Sequence, residues 1–163
     1  NSTDFNYKQE MNVIVKKAIL TAVALLFSTT ALIGQSEEFG TEAEAKAMLE
    51  RAINLVKSDK IRALDAFTDL EGGFGYKDLY VFCFNKKGIL LAHPTNLGMD
   101  GREVTDVNGV NVWNLVSSAT KGEIKKITYQ FARLTTGNEE VHTKTSFVTQ
   151  VRGLHCGVGF YAK

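Results

Sequence analysis

The chain has 163 residues, 44% apolar and 23% charged, with a net charge of +1. That length suits one domain with its own core. The balanced charge, with lysines alternating with acids, excludes the basic stripe of a nucleic-acid binder. The sequence contains no P-loop, no GxGxxG, no HExxH and no CxxC, so it gives no support for a cofactor or a metal.

Residues 1–10, NSTDFNYKQE, read as an upstream or added segment outside the mature protein. Residues 11–36, MNVIVKKAILTAVALLFSTTALIGQS, read as a secretory signal peptide. Lys16 and Lys17 supply the positive start, Ala18 to Ile33 the apolar stretch, and Gly34 and Ser36 the small residues before a cleavage. A spanning helix needs roughly 20 apolar residues, and this stretch is shorter and threonine-rich. An uncleaved anchor that tethers the domain to the membrane is the alternative. No cysteine marks a lipoprotein site. Residues 37–163 are left as the mature domain, periplasmic or secreted.

In TEAEAKAMLERAINLVKS, Thr41 and Glu44 form a capping-box pattern. Ala45, Met48, Ala52, Leu55 and Val56 recur at helical spacing. KIRALDAF continues that pattern until the glycines at 72, 73 and 75 stop it. DLYVFCFN is apolar on both parities, Tyr80, Phe82 and Phe84 on one face and Leu79, Val81 and Cys83 on the other. Such a strand belongs in the middle of a sheet covered on both sides. NKKG is a turn and ILLAH the returning strand. Pro94, the sole proline, ends that strand before the loop PTNLGMDGREVTDVNG, where Gly98 and Gly101 allow turns. VNVWNLVSSATKG reads as a helix with Val112, Leu115, Val116 and Ala119 inward.

Three strands close the chain. IKKITYQFARL places Ile127, Tyr129, Phe131 and Arg133 on one face. TTGNEE is a turn, VHTKTSFVTQV a β-branched strand, RG a turn, and LHCGVGFYA the last strand. Gly157 and Gly159 share a face there and leave a trough that a helix or a ligand can approach. The fold class is therefore α+β: about five antiparallel strands, a long N-terminal helix on one face, and the middle loop and helix framing a pocket on the other. Cys83 and Cys156 both lie in strands. They are either a cross-strand disulfide, which an oxidising compartment permits, or two buried free thiols.

The sequence resembles the single Cache domains (sCache type 2), PAS-like extracytoplasmic sensors, from about Phe39 to Lys163. EFGTEAEAKAMLERA is similar to the family's opening helix, and DLYVFCFNKKGILLAHPTNLGMDGR to its first hairpin, ending in His-Pro and a Gly-rich loop. GEIKKITYQF, VHTKTSFVTQV and LHCGVGFYAK are similar to its third, fourth and closing strands. The resemblance implies a PAS-like sensor for a small ligand, such as the short carboxylates acetate, propionate, lactate or pyruvate. It implies pocket roles for His93, Tyr129 and Lys144, with Phe131 at the usual Trp position and Phe147 at the usual Tyr position. The missing Tyr hydroxyl removes one expected donor, and Val141 to Thr143 lack the family's proline. Arg133, on the face of Tyr129, and Trp113, on the middle helix, complete the candidate ligand set. Tyr80 and Tyr161 are expected as core or pocket wall. Lys144 and Phe147 have opposite strand parity, so both enter one pocket only if a bulge intervenes.

A carboxylate ligand needs donors and a positive charge, which His93, Tyr129 and Lys144 supply. With no HAMP-like coil or kinase region in the sequence, output is expected through a separate membrane sensor kinase or chemoreceptor. An enzyme is not expected: the cysteines sit in apolar strands, where thiols are usually inert, and the histidines lack metal-ligand spacing. The alternative is a PAS-like dimerisation or interaction module, a homodimer paired through the long helix, with a pocket filled by its own side chains.

Overall fold

Thr41 starts the first helix as the capping-box pattern requires. Its hydroxyl accepts the amide N–H of Glu44 at 3.2 Å, and the Glu44 carboxylate accepts the amide N–H of Thr41 at 2.8 Å. The structure, a computed structural model, describes residues 39–133 and 137–161. The expected signal segment 11–36, residues 1–10 and part of the TTGNEE turn lie outside the described residues.

Helix α1 spans Glu42–Ser58 and α2 spans Lys60–Thr68. The continuous helical period does not give one helix. Asp59 adopts an extended backbone, φ −143° and ψ 99°, and its side chain accepts the amide N–H of Arg62. One residue thus ends α1 and caps α2, which its short acceptor side chain favours. Strands β1 (Gly75–Tyr76), β2 (Leu79–Asn85) and β3 (Leu90–Ala92) follow. Then come a 3-10 turn at Gly101–Glu103, helix α3 (Val112–Ser117), and strands β4 (Lys125–Arg133), β5 (Asn138–Val151) and β6 (Leu154–Tyr161).

Among the described residues the antiparallel sheet has six strands in the order β1-β2-β6-β5-β4, with β3 also paired to β2. The two-residue β1 is the strand beyond the expected five. β2 lies inside the sheet with both faces buried, as its double apolar parity requires. The β5–β6 turn places Arg152 at φ 45° and Gly153 at φ 77°, the paired positive angles of a tight hairpin turn matched to strand twist.

One sheet face packs against α1 and α2. Met48, Leu49, Val56 and Phe67 meet Leu79, Val81, Phe147, Leu154 and Val158 in a continuous core. Each fully buried side chain of this size contributes about 1.5–3 kcal/mol of transfer free energy. The other face carries Tyr80, Phe82, Phe84, Ile127, Tyr129 and Val148, covered by Leu90 and by Val112 and Val116 of α3.

The loop after His93 is pinned across that second face. Leu90 donates its amide N–H to the Met99 carbonyl, and the Gly98 and Gly101 amides donate to the Leu90 and Gly88 carbonyls. Asn111 donates to the Arg102 and Val104 carbonyls while its own carbonyl caps α3. Asp106 accepts the amide N–H of Gln130, which ties the loop to the edge strand β4.

Candidate functional site

Lys144 is the chemical centre of the second face. It projects from β5 and is 1% exposed. Its Nζ donates to the Tyr80 hydroxyl at 2.8 Å. The rings of Tyr80, Phe131 and Tyr161 surround it at 4.4, 5.3 and 5.2 Å from Nζ to centroid. Among the described residues no carboxylate pairs with it. Aromatic faces attract a cation, but they do not replace a counter-ion in a low-dielectric interior.

The glycine trough of β6 exists to hold this lysine. A Cβ at Gly159 would collide with Lys144 Cε and Ser146 Oγ, and one at Gly157 with the Phe82 ring and Val148. The trough is therefore occupied by the protein's own side chains, and the ligand approach expected there gives way to Lys144 and Phe82.

His93 sits at the end of β3, 5% exposed. Its Nδ1 accepts the amide N–H groups of Thr95 and Asn96, both at 3.1 Å. These bonds hold the first turn of the loop against the ring and leave the proton of the neutral imidazole on Nε2. Burial, with the Lys144 charge adding to it, lowers the His93 pKa to about 4. His93 is thus a neutral donor beside the cation. Its ring meets Tyr80 edge-on at 4.8 Å.

Tyr129 shares a hydrogen bond with Ser146 at 3.1 Å. Burial raises its hydroxyl pKa, with Lys144 opposing. Burial raises Tyr80 as well, helped by the Asp78 charge, and pushes Tyr161 up to about 12. All three phenols stay protonated.

Lys144, His93, Tyr129 and Tyr80 line a cavity of about 30 Å³. Its walls include Tyr80, His93, Tyr129, Phe131 and Lys144, with Phe82, Phe84, Leu90, Met99, Val104 and Val112 as the apolar remainder. The structure brings together His93, Tyr129, Phe131 and Lys144 of the candidate set. It does not bring in the other three. Phe147 points to the opposite face, 7% exposed and stacked on Phe160, because β5 pairs with β4 and β6 without a bulge between Lys144 and Phe147. Trp113 packs on Phe84 and His155 outside the cavity wall. Arg133 does not line the cavity; it stands at the end of β4, past a β4–β5 register irregularity between Ala132 and Arg133. It lies 3.9 Å from the Asp78 carboxylate, between the rings of Phe39 and Tyr161.

Tyr80 is the polar partner that sequence reasoning leaves as wall. The available signal is its face: it alternates with Phe82 and Phe84 on the central strand, opposite the helices. Cys83 and Cys156 face each other across β2 and β6 and form a disulfide on the helix side of the sheet. Neither supplies a nucleophilic thiol. Among the described residues no cluster of His, Cys, Asp or Glu could hold a metal ion, and no helix is long and apolar enough to cross a membrane.

Comparison with known families matches residues 7–162 to Single Cache domain 2. The chain belongs to that family, whose members are extracytoplasmic sensor modules. Comparison with curated proteins finds no match. The fold is similar to that of a methyl-accepting chemotaxis protein from Vibrio parahaemolyticus RIMD 2210633, at 20% identity and TM-score 0.59, over 73% of this chain and 86% of that one. It is also similar to a Cache chemosensory domain described for carboxylic acid recognition, at 22% identity and TM-score 0.53, over 72% and 86%. A periplasmic sensor domain of a chemotaxis protein matches at 21% identity and TM-score 0.54, over 72% and 88%.

Proposed function

We propose that this chain is an extracytoplasmic sensor module that binds a short organic carboxylate in the cavity around Lys144. The observation that carries this reading is a buried lysine with no carboxylate partner among the described residues, facing a small cavity whose other polar groups are an imidazole and two phenols. An anion placed there neutralises the cation and takes further hydrogen bonds from the His93 Nε2–H and the phenols. No acidic side chain lines the cavity to receive an ammonium group. The small volume restricts the ligand to a few heavy atoms beyond its carboxylate. The disulfide accords with an oxidising compartment, and the 11–36 segment would direct export. Output would pass to a separate membrane sensor kinase or chemoreceptor.

A second reading rests on the same small volume. If the Lys144–Tyr80 bond and its rings fill the site, the domain acts as a dimerisation or interaction module without a small ligand. Thermal unfolding of the chain with acetate, propionate, lactate, pyruvate, glycine and ethylamine separates the two. A short acid at about 100 times its Kd stabilises the fold by about 2.7 kcal/mol. Lys144→Met is expected to remove that response while the protein remains folded. A response to ethylamine alone would overturn the anion reading, and no response to any compound favours the interaction module.

A further inference from the structure

Arg133, expected in the cavity, stands instead where the two ends of the folded domain meet. Phe39 packs its ring 4.0 Å from the guanidinium, and Tyr161, the last described residue of β6, lies 4.9 Å from it. Asp78, 0% exposed, sits 3.9 Å from Arg133 through Oδ2, and its Oδ1 accepts the Gly40 amide N–H at 2.6 Å. Gly40 has no room for a side chain, since a Cβ would collide with Leu79. The next residue, Thr41, is the cap of α1. One buried carboxylate therefore holds the start of the first helix, and one arginine clamps that start to the last strand.

This cluster adjoins the anion site through two rings. Tyr161 has Lys144 Nζ at 5.2 Å and the Arg133 guanidinium at 4.9 Å from the centre of the same ring. Tyr80 holds Lys144 Nζ by its hydroxyl, and the Asp78 charge bears on that hydroxyl from two residues away on the same chain segment. Two cations thus face one aromatic ring, and the buried carboxylate of Asp78 lies on the Arg133 side. In a low-dielectric interior such charges act on one another over more than a contact distance.

We propose that Asp78 and Arg133, with Tyr80 and Tyr161 between them and Lys144, couple occupancy of the anion site to the start of α1 at Phe39–Thr41. The coupling rests on the reading of the cavity as an anion site. With the site empty, the Lys144 charge repels Arg133 and draws on Asp78. Neutralising Lys144 removes both effects, so the Arg133–Asp78 pair strengthens and the Gly40 amide is held more firmly. Of Asp78, Arg133, Tyr80 and Tyr161, Tyr80 lines the cavity and the other three do not, so the device acts through charge and needs no movement of the loop after His93.

Hydrogen exchange on the full chain tests this by neutralising Lys144 in two independent ways. One uses saturating propionate on the wild type. The other uses Lys144→Met, with Lys144→Gln as a second variant where the first does not fold. Amide exchange over Gly40–Ala45 should slow at least about fivefold in both, the lower end of ordinary coupling between sites. Amides of the β5–β6 hairpin should be unchanged, which marks an intact fold. In Asp78→Asn the slowing should vanish. If none of acetate, propionate, lactate and pyruvate binds but the Lys144 variants slow exchange, the charge coupling stands and the carboxylate reading falls. If propionate binds and exchange over Gly40–Ala45 is unchanged by it and by the variants, the coupling is overturned and the carboxylate reading stands. Unchanged exchange in the variants without binding overturns both.

Discussion

The His93 imidazole is buried, holds two backbone amides through Nδ1, and has its pKa lowered to about 4. Its ordinary value is about 6.5. Above pH 6.5 neither the folded nor the unfolded chain protonates it. Between 6.5 and about 4 the unfolded chain binds a proton that the folded one refuses, so stability falls as pH falls through that window. The largest total loss is about 3 kcal/mol, from 1.36 kcal/mol per pKa unit. Burial also lowers the His155 pKa, with Lys86 adding to it, and the effect has the same sign. The contribution of His93 is therefore read as a difference. Urea midpoints measured from pH 7 to 4.5 should fall more steeply in the wild type than in His93→Gln. Equal slopes would mean that His93 titrates alike in the folded and unfolded chains, so that burial and the two Nδ1 bonds do not resist its protonation.

At the scale of elements, β6 and β5 build the Lys144 cavity together by exchanging volume. Gly159 gives up its side chain so that Lys144 can cross over the strand and reach Tyr80. Gly159→Ala should displace the lysine and cost about 1–3 kcal/mol, the usual range for overpacking. It should also abolish the acid-induced rise in melting temperature. Retained acid binding at reduced stability would place the anion elsewhere. The pairing of glycine and lysine across strands is not legible in a linear reading, where the trough looks open. What was legible is local or periodic. The Thr41–Glu44 cap needs four consecutive residues, and the double apolar parity of Leu79–Asn85 needs one strand. Strand parity also separates Phe147 from Lys144. The break at Asp59 is hidden because the apolar period runs through it, and the cap depends on one side chain turning to Arg62. Strand β1 is hidden in a glycine run that reads as a stop. Arg133 keeps the parity of Tyr129, but it stands past the cavity beside Asp78 and Tyr161, a meeting of distant segments that no linear pattern shows.

At the largest scale, the described residues form a sheet between two unlike layers, with a covalent tie between two of its strands. The Cys83–Cys156 bond joins β2 to β6, 73 residues apart, on the face covered by α1 and α2. The same two strands carry Tyr80 and Tyr161 on the opposite face, so the tie fixes the spacing of the walls around Lys144. In the chain-entropy account, closing a loop of that length disfavours the unfolded state by about 4 kcal/mol. The two cysteines are 0% and 1% exposed, so a reductant reaches the bond only when the sheet opens. In native buffer with dithiothreitol, thiol titration should therefore find no reactive cysteine. With denaturant and dithiothreitol together it should find two per chain. The double variant Cys83→Ala/Cys156→Ala should melt more than about 10 °C below the oxidised protein, given the entropy of unfolding of a domain this size. Rapid reduction in native buffer would mean that β2 and β6 separate without global unfolding. The walls around Lys144 would then move independently, and the fixed spacing on which the small cavity depends would not hold.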